Sequence, residues 1–159
     1  MSELIGSLLK INEDNRKTTS VVGELGEKSV IDHLKRSGFT IVAANFKIPI
    51  GRNQKGVQVT GEIDIIALEN NILCFIEVKT RNSEEFAPAL SAVDVRKQRQ
   101  ITRTARVYRK TFGLTNQKFR YDVASVVLNG KKAPTIKLTK GFWTEDKFKK
   151  RTWIDEFQR

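Results

Sequence analysis

Two strand-like segments joined by Asn70-Asn71 constrain the fold more than any other part of this chain. Residues 60–69 and 72–80 are rich in Ile, Val and Phe, which favour β-strands. Asparagine tolerates the left-handed backbone that a two-residue hairpin turn requires. The sequence therefore predicts a β-hairpin with a tight turn and a defined register.

This register places carboxylates close together. It puts Asp64 opposite Glu77 and Glu62 opposite Lys79, and because side chains alternate along a strand, all four share one face. Carboxylates with side-chain roots about 5 Å apart repel by roughly 3 kcal/mol at an effective dielectric of about 20. A bound Mg²⁺ or Mn²⁺ would make the pair favourable. The alternative is a solvated face with a Glu62–Lys79 salt bridge, but four apolar residues share the face and favour a covered site: Ile66, Leu68, Leu73 and Phe75.

A first helix is predicted over residues 18–36, with N-cap candidates at its start and Gly38 at its C-terminal stop. Glu27 lies on the apolar stripe of this helix together with Ile31 and Leu34, so it is expected to face the sheet. The alternative is that Glu27 lies at the edge of the stripe and reaches water.

The remaining elements are predicted from strand patterns, capping residues and turn residues. In chain order they are a strand over 39–47, a loop over 48–60, a helix from a Ser91–Asp94 capping box to about residue 112, a strand over 118–128, a hairpin turn at Asn129-Gly130 into a strand over 131–138, and a helix beginning at Thr144. The resulting order predicts one α/β domain over 18–128, with an N-terminal arm over 1–17 and a basic and aromatic extension over 129–159 packed on the domain.

Charge is unevenly distributed along the chain. The net charge is +11, yet residues 1–95 hold eleven bases and thirteen acids, whereas residues 96–110 hold seven bases and no acid. Such an excess points to a polyanionic partner, either nucleic acid or a membrane surface.

No apolar run is long enough to span a bilayer and no signal peptide is recognisable. A single Cys and a single His exclude an internal disulfide and a Cys/His zinc site, so we expect a cytoplasmic location.

The basic helix has two faces. An apolar stripe is predicted to pack on the sheet and consists of Ile101, Ala105, Tyr108 and Phe112. The bases recur on another side of the helix. The alternative to a binding role is that this side is simply exposed to solvent. Because the run lacks any acid, we expect phosphate contacts from Arg96, Lys97, Arg99 and Arg103.

Several of these residues form a combination that resembles the YraN-type family, which is largely uncharacterised and predicted to be nuclease-like. The matching segments are Gly26-Glu27, Asn45, Gly61-Glu62-Ile63-Asp64, Phe75-Ile76-Glu77-Val78-Lys79-Thr80-Arg81, Lys97-Gln98-Arg99, Ala105, Tyr108 and Arg120-Tyr121-Asp122-Val123. That family is similar to the restriction-endonuclease-like, PD-(D/E)xK superfamily, which includes archaeal Holliday-junction resolvases. The superfamily motif corresponds here to Asp64 and Glu77-Val78-Lys79, although Ile63 stands where its Pro would be.

The resemblance implies a single restriction-endonuclease-like domain, with a mixed sheet in an αβββαβ core flanked by helices. It also implies metal-assisted phosphodiester hydrolysis. The implied roles are Mg²⁺ or Mn²⁺ binding by Asp64, Glu77 and Glu27, water orientation or charge stabilisation by Lys79, support of Lys79 by Glu62, positioning of water or phosphate by Gln98, and phosphate contact by Arg81 beside the motif. The stretch between Asn45 and Gly61 is longer than expected for the family, and residues 129–159 extend beyond the match.

The expected function is a Mg²⁺-dependent DNA endonuclease, with branched or damaged DNA as candidate substrates. The resemblance to resolvases makes a homodimer plausible. The main alternative is a nucleic-acid-binding protein that keeps the fold without turnover. A membrane-surface protein is a weaker alternative, because only the C-terminal helix could supply the required basic amphipathic face.

Overall fold

The computed structural model describes residues 20–81 and 93–148, which form a five-stranded sheet with a helix on each face. The elements in chain order are α1 (20–36), β1 (Thr40–Arg52), β2 (Gln58–Glu69), β3 (Ile72–Arg81), α2 (Val95–Thr111), β4 (Phe119–Val127), β5 (Thr135–Trp143) and a 3-10 turn (Glu145–Phe148). The strands are ordered β1-β2-β3-β4-β5, and only β3 and β4 are parallel. The predicted mixed α/β fold is confirmed.

The central hairpin has the predicted turn. Asn70 and Asn71 adopt φ angles of 46° and 67°, the left-handed conformation that a two-residue hairpin turn needs. Leu68 pairs with Leu73, and the predicted register continues to Ile65 opposite Ile76, where the described pairing of β2 with β3 ends. The turn chemistry therefore sets the register, but only as far as the acidic part of the hairpin.

Two hydrophobic clusters hold the helices to opposite faces of the sheet. The α1 side contains Val30, Leu34, Ile65, Ala67, Cys74, Ile76, Val78, Ala124 and Val126. The α2 side contains Ile63, Ile66, Leu73, Phe75, Ile101, Ala105, Tyr108, Tyr121, Val123 and Trp143. Hydrophobic burial on both faces explains why α2 crosses over between the parallel strands β3 and β4.

The loop predicted over 48–60 is wrong. β1 continues to Arg52 and β2 begins at Gln58, so most of this stretch is strand. Pro49 is tolerated because β1 is an edge strand, and the register shifts between Pro49 and Gly51. The Asn53 side chain closes the short turn by accepting backbone hydrogen bonds from residues 55 and 57.

The start of α2 differs from the prediction, whereas its end agrees with it. Asp94 is the N-cap, because its side chain accepts a hydrogen bond from the Lys97 N–H at 2.8 Å, whereas Ser91 lies outside the described residues. The C-cap residue is Phe112, whose ring lies against those of Tyr108 and of Phe46 in β1 while its side chain remains 55% exposed. The other three members of the predicted stripe are buried.

After β4, the turn and the strand that follows it both differ from the prediction. A two-residue turn at Asn129-Gly130 is wrong, because Val127 pairs with Thr135 across a longer loop that the Asn129 side chain closes by donating to the Thr135 hydroxyl at 2.9 Å. The resulting strand, β5, is the fifth strand of the same sheet. Thr144 leads into a 3-10 turn, and the rest of the predicted terminal helix lies outside the described residues, as does the arm over 1–17.

Candidate active site where two strands separate

The site lies where β2 and β3 stop pairing. Instead of continuing the ladder, Asp64 accepts a hydrogen bond from the Val78 backbone N–H through Oδ2 at 2.7 Å. On the other side of β2, Asn45 of β1 has a φ of 50°, and its neighbours Ala44 and Phe46 pair with the residues that flank Asp64. The predicted direct pairing of Asp64 with Glu77 is therefore wrong in detail.

Side-chain alternation changes at the same point. Ile65 packs on the α1 side of the sheet, whereas Ile63, two residues earlier, packs on the α2 side. Glu62 consequently pairs with Lys47 of β1 at 3.5 Å, on an exposed part of the sheet. The expected support of Lys79 by Glu62 is wrong, because the face on which Glu62 lies changes at Asp64.

Glu77 is the most buried carboxylate of the site, at 2% exposure. Its Oε1 lies 2.8 Å from the Lys79 Nζ and 3.3 Å from the Lys97 Nζ. Its Oε2 is buried and has no hydrogen-bond partner within residues 20–81 and 93–148. Burying a polar oxygen without a partner costs free energy, and a carboxylate oxygen of this kind could bind a cation.

The pKa of Asp64 reflects this crowding. Burial raises the pKa of its carboxyl to about 7, and the negative charges of Glu77 and, less strongly, Glu27 add to the rise. The hydrogen bond from Val78 and the charge of Lys97 act in the opposite direction. Asp64 and Glu77 therefore form an electrostatically coupled pair, although they do not face each other in the ladder.

Glu27 reaches the neighbourhood of this pair because α1 packs tightly against β3. A Cβ atom at Gly26 would overlap the side chain of Thr80, so the close approach requires glycine. Within residues 20–81 and 93–148, no three His, Cys, Asp or Glu side chains gather closely enough to hold a metal ion. Asp64 and Glu77 are therefore the two acidic side chains of the candidate site, and Glu27 acts on Asp64 through its charge.

The start of α2 adds a lysine that sequence reasoning assigned to the phosphate contacts. Lys97 lies in the first turn of α2, and its ammonium faces Glu77. Recognition of Asp94 as the N-cap would have placed Lys97 in the first turn of α2, although not its ammonium beside Glu77. The neighbouring Gln98 is buried, with its Nε2 donating to the Val93 carbonyl at 2.7 Å and its Oε1 accepting from the Lys147 Nζ at 3.0 Å. Gln98 therefore ties the 3-10 turn to the start of α2.

The other predicted phosphate contacts divide into two groups. Arg96, Arg99 and Arg103 are exposed on α2 and have no carboxylate partner among the described residues, and the Arg99 guanidinium lies 5.6 Å from the centroid of the Phe148 ring. Arg81, at the end of β3, is half-buried, and its carbonyl accepts the Leu128 N–H.

Comparison with known proteins gives a family without an assigned activity. The model of a family described as "Uncharacterised protein family UPF0102" matches residues 26–126. A UPF0102 protein of Dictyoglomus thermophilum is 39% identical over 108 residues, which cover 68% of this chain and 83% of the relative. One of Alkaliphilus metalliredigens is 36% identical over 111 residues, covering 70% and 89%. One of Caldanaerobacter subterraneus subsp. tengcongensis is 39% identical over 118 residues, covering 74% and 86%.

Proposed function

The chain belongs to the uncharacterised protein family UPF0102, and because that name assigns no activity, we propose from the residues themselves that it hydrolyses phosphodiester bonds in DNA with the help of a bound Mg²⁺ or Mn²⁺. The buried Oε2 of Glu77, which has no partner in the described part of the chain and lies near Asp64, carries this proposal. Folding alone gains nothing from placing the half-buried carboxylate of Asp64 near the buried carboxylate of Glu77, whereas a divalent cation would stabilise both.

The donor set fits a hard cation. Asp64 and Glu77 would hold the ion, since carboxylate oxygens are the ligands that Mg²⁺ and Mn²⁺ prefer. Glu27 adds a negative charge and could hold a water ligand of the ion. When bound, the metal would polarise the scissile phosphate and acidify a coordinated water.

The lysines would supply positive charge at the phosphate. Lys79 and Lys97 both contact the same oxygen of Glu77, and the Lys79 side chain is 28% exposed, within reach of solvent. Lys79 would orient the attacking water or stabilise charge that develops on the phosphate oxygens. Lys97 would hold the Glu77 carboxylate in position while α2 carries the duplex.

The basic half of α2 supports DNA as the substrate. Arg96 and Arg99 project from the same helix that carries Lys97, so phosphate contacts there would bring the backbone of a bound strand to the carboxylates. Branched or damaged DNA remains a candidate substrate within this proposal.

A binding protein without turnover is the second candidate. One observation favours it, since Lys79 and Lys97 already compensate the charge of Glu77 without a metal ion. Such a protein would bind DNA in a salt-sensitive way that does not depend on Asp64 or on Mg²⁺.

A cleavage assay tests the proposal. The full chain is incubated with linear, supercoiled and branched DNA in Mg²⁺, in Mn²⁺ and in a chelator. We expect metal-dependent cleavage of at least one substrate and its loss in Lys79→Ala. Absence of cleavage on every substrate with either metal would leave the binding protein as the correct reading.

A further inference from the structure

The two halves of α2 differ in how their bases are used. In the C-terminal half, Arg106 and Arg109 bind the Glu145 carboxylate at 2.9 and 2.6 Å. In the N-terminal half, Arg99 and Arg103 are exposed and have no described carboxylate partner. Apart from Lys110 near its C-terminal end, the exposed bases of α2 that have no described carboxylate partner therefore lie in its N-terminal half.

The tip of the β1–β2 hairpin, residues 51–57, carries the same kind of charge. All of its residues are exposed, and it contains Arg52 and Lys55 but no acid. The tip is braced from within, since Arg52 donates to the Gly56 carbonyl at 2.7 Å and Asn53 accepts two backbone N–H groups. A braced turn holds the backbone that carries Lys55 in place, so this backbone loses little entropy on binding.

Arg103 joins the hairpin tip to the helix. A Cβ atom at Gly51 would lie 2.5 Å from the Arg103 Nη2, and Gly51 has a φ of 134°, so this contact depends on glycine. The exposed bases consequently run from α2 across Arg103 to the tip, as one surface on the α2 side of the sheet.

We propose that the hairpin tip and the N-terminal half of α2 form one surface that tracks the phosphates of duplex DNA leading away from the carboxylates. This inference deepens the proposed function and rests on it for the orientation of the DNA. Arg96 and Arg103 are seven residues apart on one side of the helix, about 10 Å along its axis, a distance over which one strand of DNA presents about three phosphates. Lys55 would extend the contact beyond the helix.

Salt-dependent binding tests the surface. The full chain is titrated in chelator with fluorescein-labelled duplex DNA of mixed sequence over a series of NaCl concentrations, and binding is followed by anisotropy. Lys55→Ala and Arg103→Ala are compared with Lys131→Ala. Lys131 is exposed in the β4–β5 loop, and Ala133 and Pro134 of this loop line a pocket with α1 on the opposite face of the sheet. Each phosphate contact contributes about 0.9 to the slope of log K against log salt concentration.

We expect Lys55→Ala and Arg103→Ala each to lower the slope by about 1, and the double variant by about 2, while Lys131→Ala keeps the wild-type slope. An unchanged slope in Lys55→Ala, or an equal loss in Lys131→Ala, would overturn the proposal. Because the titration is done in chelator, it measures DNA binding independently of metal-dependent cleavage. Lower slopes with no cleavage in Mg²⁺ would sink the proposed function alone, whereas cleavage with unchanged slopes would sink this inference alone.

Discussion

The Asp64 carboxylate accepts a hydrogen bond from the Val78 N–H of β3 at 2.7 Å, in the place of a backbone carbonyl of β2. The described pairing of β2 with β3 ends beside this hydrogen bond, and Glu77, the residue before Val78, faces the start of α2. The carboxylates are thus brought together by an interrupted ladder and not by regular cross-strand pairing.

The charge of Asp64 should make the metal-free protein less stable as pH rises. The folded-state pKa is about 7, against an ordinary value of 3.8, so the folded protein keeps a proton that the unfolded chain loses. The free energy of unfolding therefore falls as pH rises through this window and is constant above it. Asp64→Asn keeps the hydrogen-bond acceptor without the charge, and we expect it to exceed wild type by about 1–3 kcal/mol at pH 8.

Thermal unfolding in chelator at pH 8 and near pH 4 measures this difference. The advantage of Asp64→Asn should shrink at the lower pH, where wild-type Asp64 is protonated in the folded state. Asp32→Asn, an exposed carboxylate on α1, is the matched control and should show neither effect. A variant that is equally destabilised at both pH values would contradict the account.

Mg²⁺ should reverse the order of stability. An ion that binds only the folded state adds about 2.7 kcal/mol at one hundred times its dissociation constant. We expect the midpoint of thermal unfolding of wild type at pH 8 to rise with Mg²⁺ concentration, and that of Asp64→Asn and Glu77→Gln to stay constant. If both variants respond to Mg²⁺ as strongly as wild type does, the ion binds elsewhere.

Lys97 and Glu77 should be energetically coupled. Their 3.3 Å ion pair compensates a carboxylate that is 2% exposed, so Lys97→Ala leaves buried charge behind and is expected to destabilise the protein by about 1–2 kcal/mol. A double-mutant cycle with Glu77→Gln in chelator should give a coupling of about 1 kcal/mol. Lys110→Ala, an exposed base on the same helix, should be neutral. Additive effects of Lys97→Ala and Glu77→Gln would show that the contact carries no energy.

Gly26 should be far less tolerant of substitution than Gly23 on the same helix. A Cβ at Gly26 meets the Thr80 side chain, whereas a Cβ at Gly23 meets nothing within 4 Å. We expect Gly26→Ala to cost about 1–3 kcal/mol through overpacking, and Gly23→Ala to be neutral or slightly stabilising because alanine favours helix. Adding Thr80→Ala to Gly26→Ala should recover part of this loss. Urea denaturation can compare the three single variants and this double variant with wild type. Equal effects of the two glycine substitutions would argue against the close packing of α1.

The parts of the fold that sequence reasoning predicted correctly depend on local chemistry. Asn70-Asn71 specify a turn by their own backbone preferences, and the buried stripe of α2 follows from helical periodicity. The partner of Glu62 was missed because the change of face at Asp64 depends on a neighbouring strand, where Asn45 has a left-handed backbone. The β4–β5 register was missed because the Asn129 side chain stabilises a wider loop.

The same distinction applies to the candidate site. Asp64, Glu77 and Lys79 could be picked out from alternation and from the resemblance to a motif. The role of Lys97 could not, because its contact with Glu77 depends on how α2 crosses the sheet. The burial of the Glu77 Oε2 without a partner among the described residues likewise becomes visible only when the helices and strands are packed together.

Cleavage by Asp64→Asn is the measurement that most directly tests the central claim, a metal-carboxylate site that hydrolyses DNA. Wild type, Asp64→Asn and the control Asp32→Asn are compared on the substrate cleaved best, in Mg²⁺ at pH 8. The account predicts that Asp64→Asn loses about a hundredfold or more in rate, while remaining folded, and that the control cleaves as wild type does. Equal rates for wild type and Asp64→Asn would contradict it.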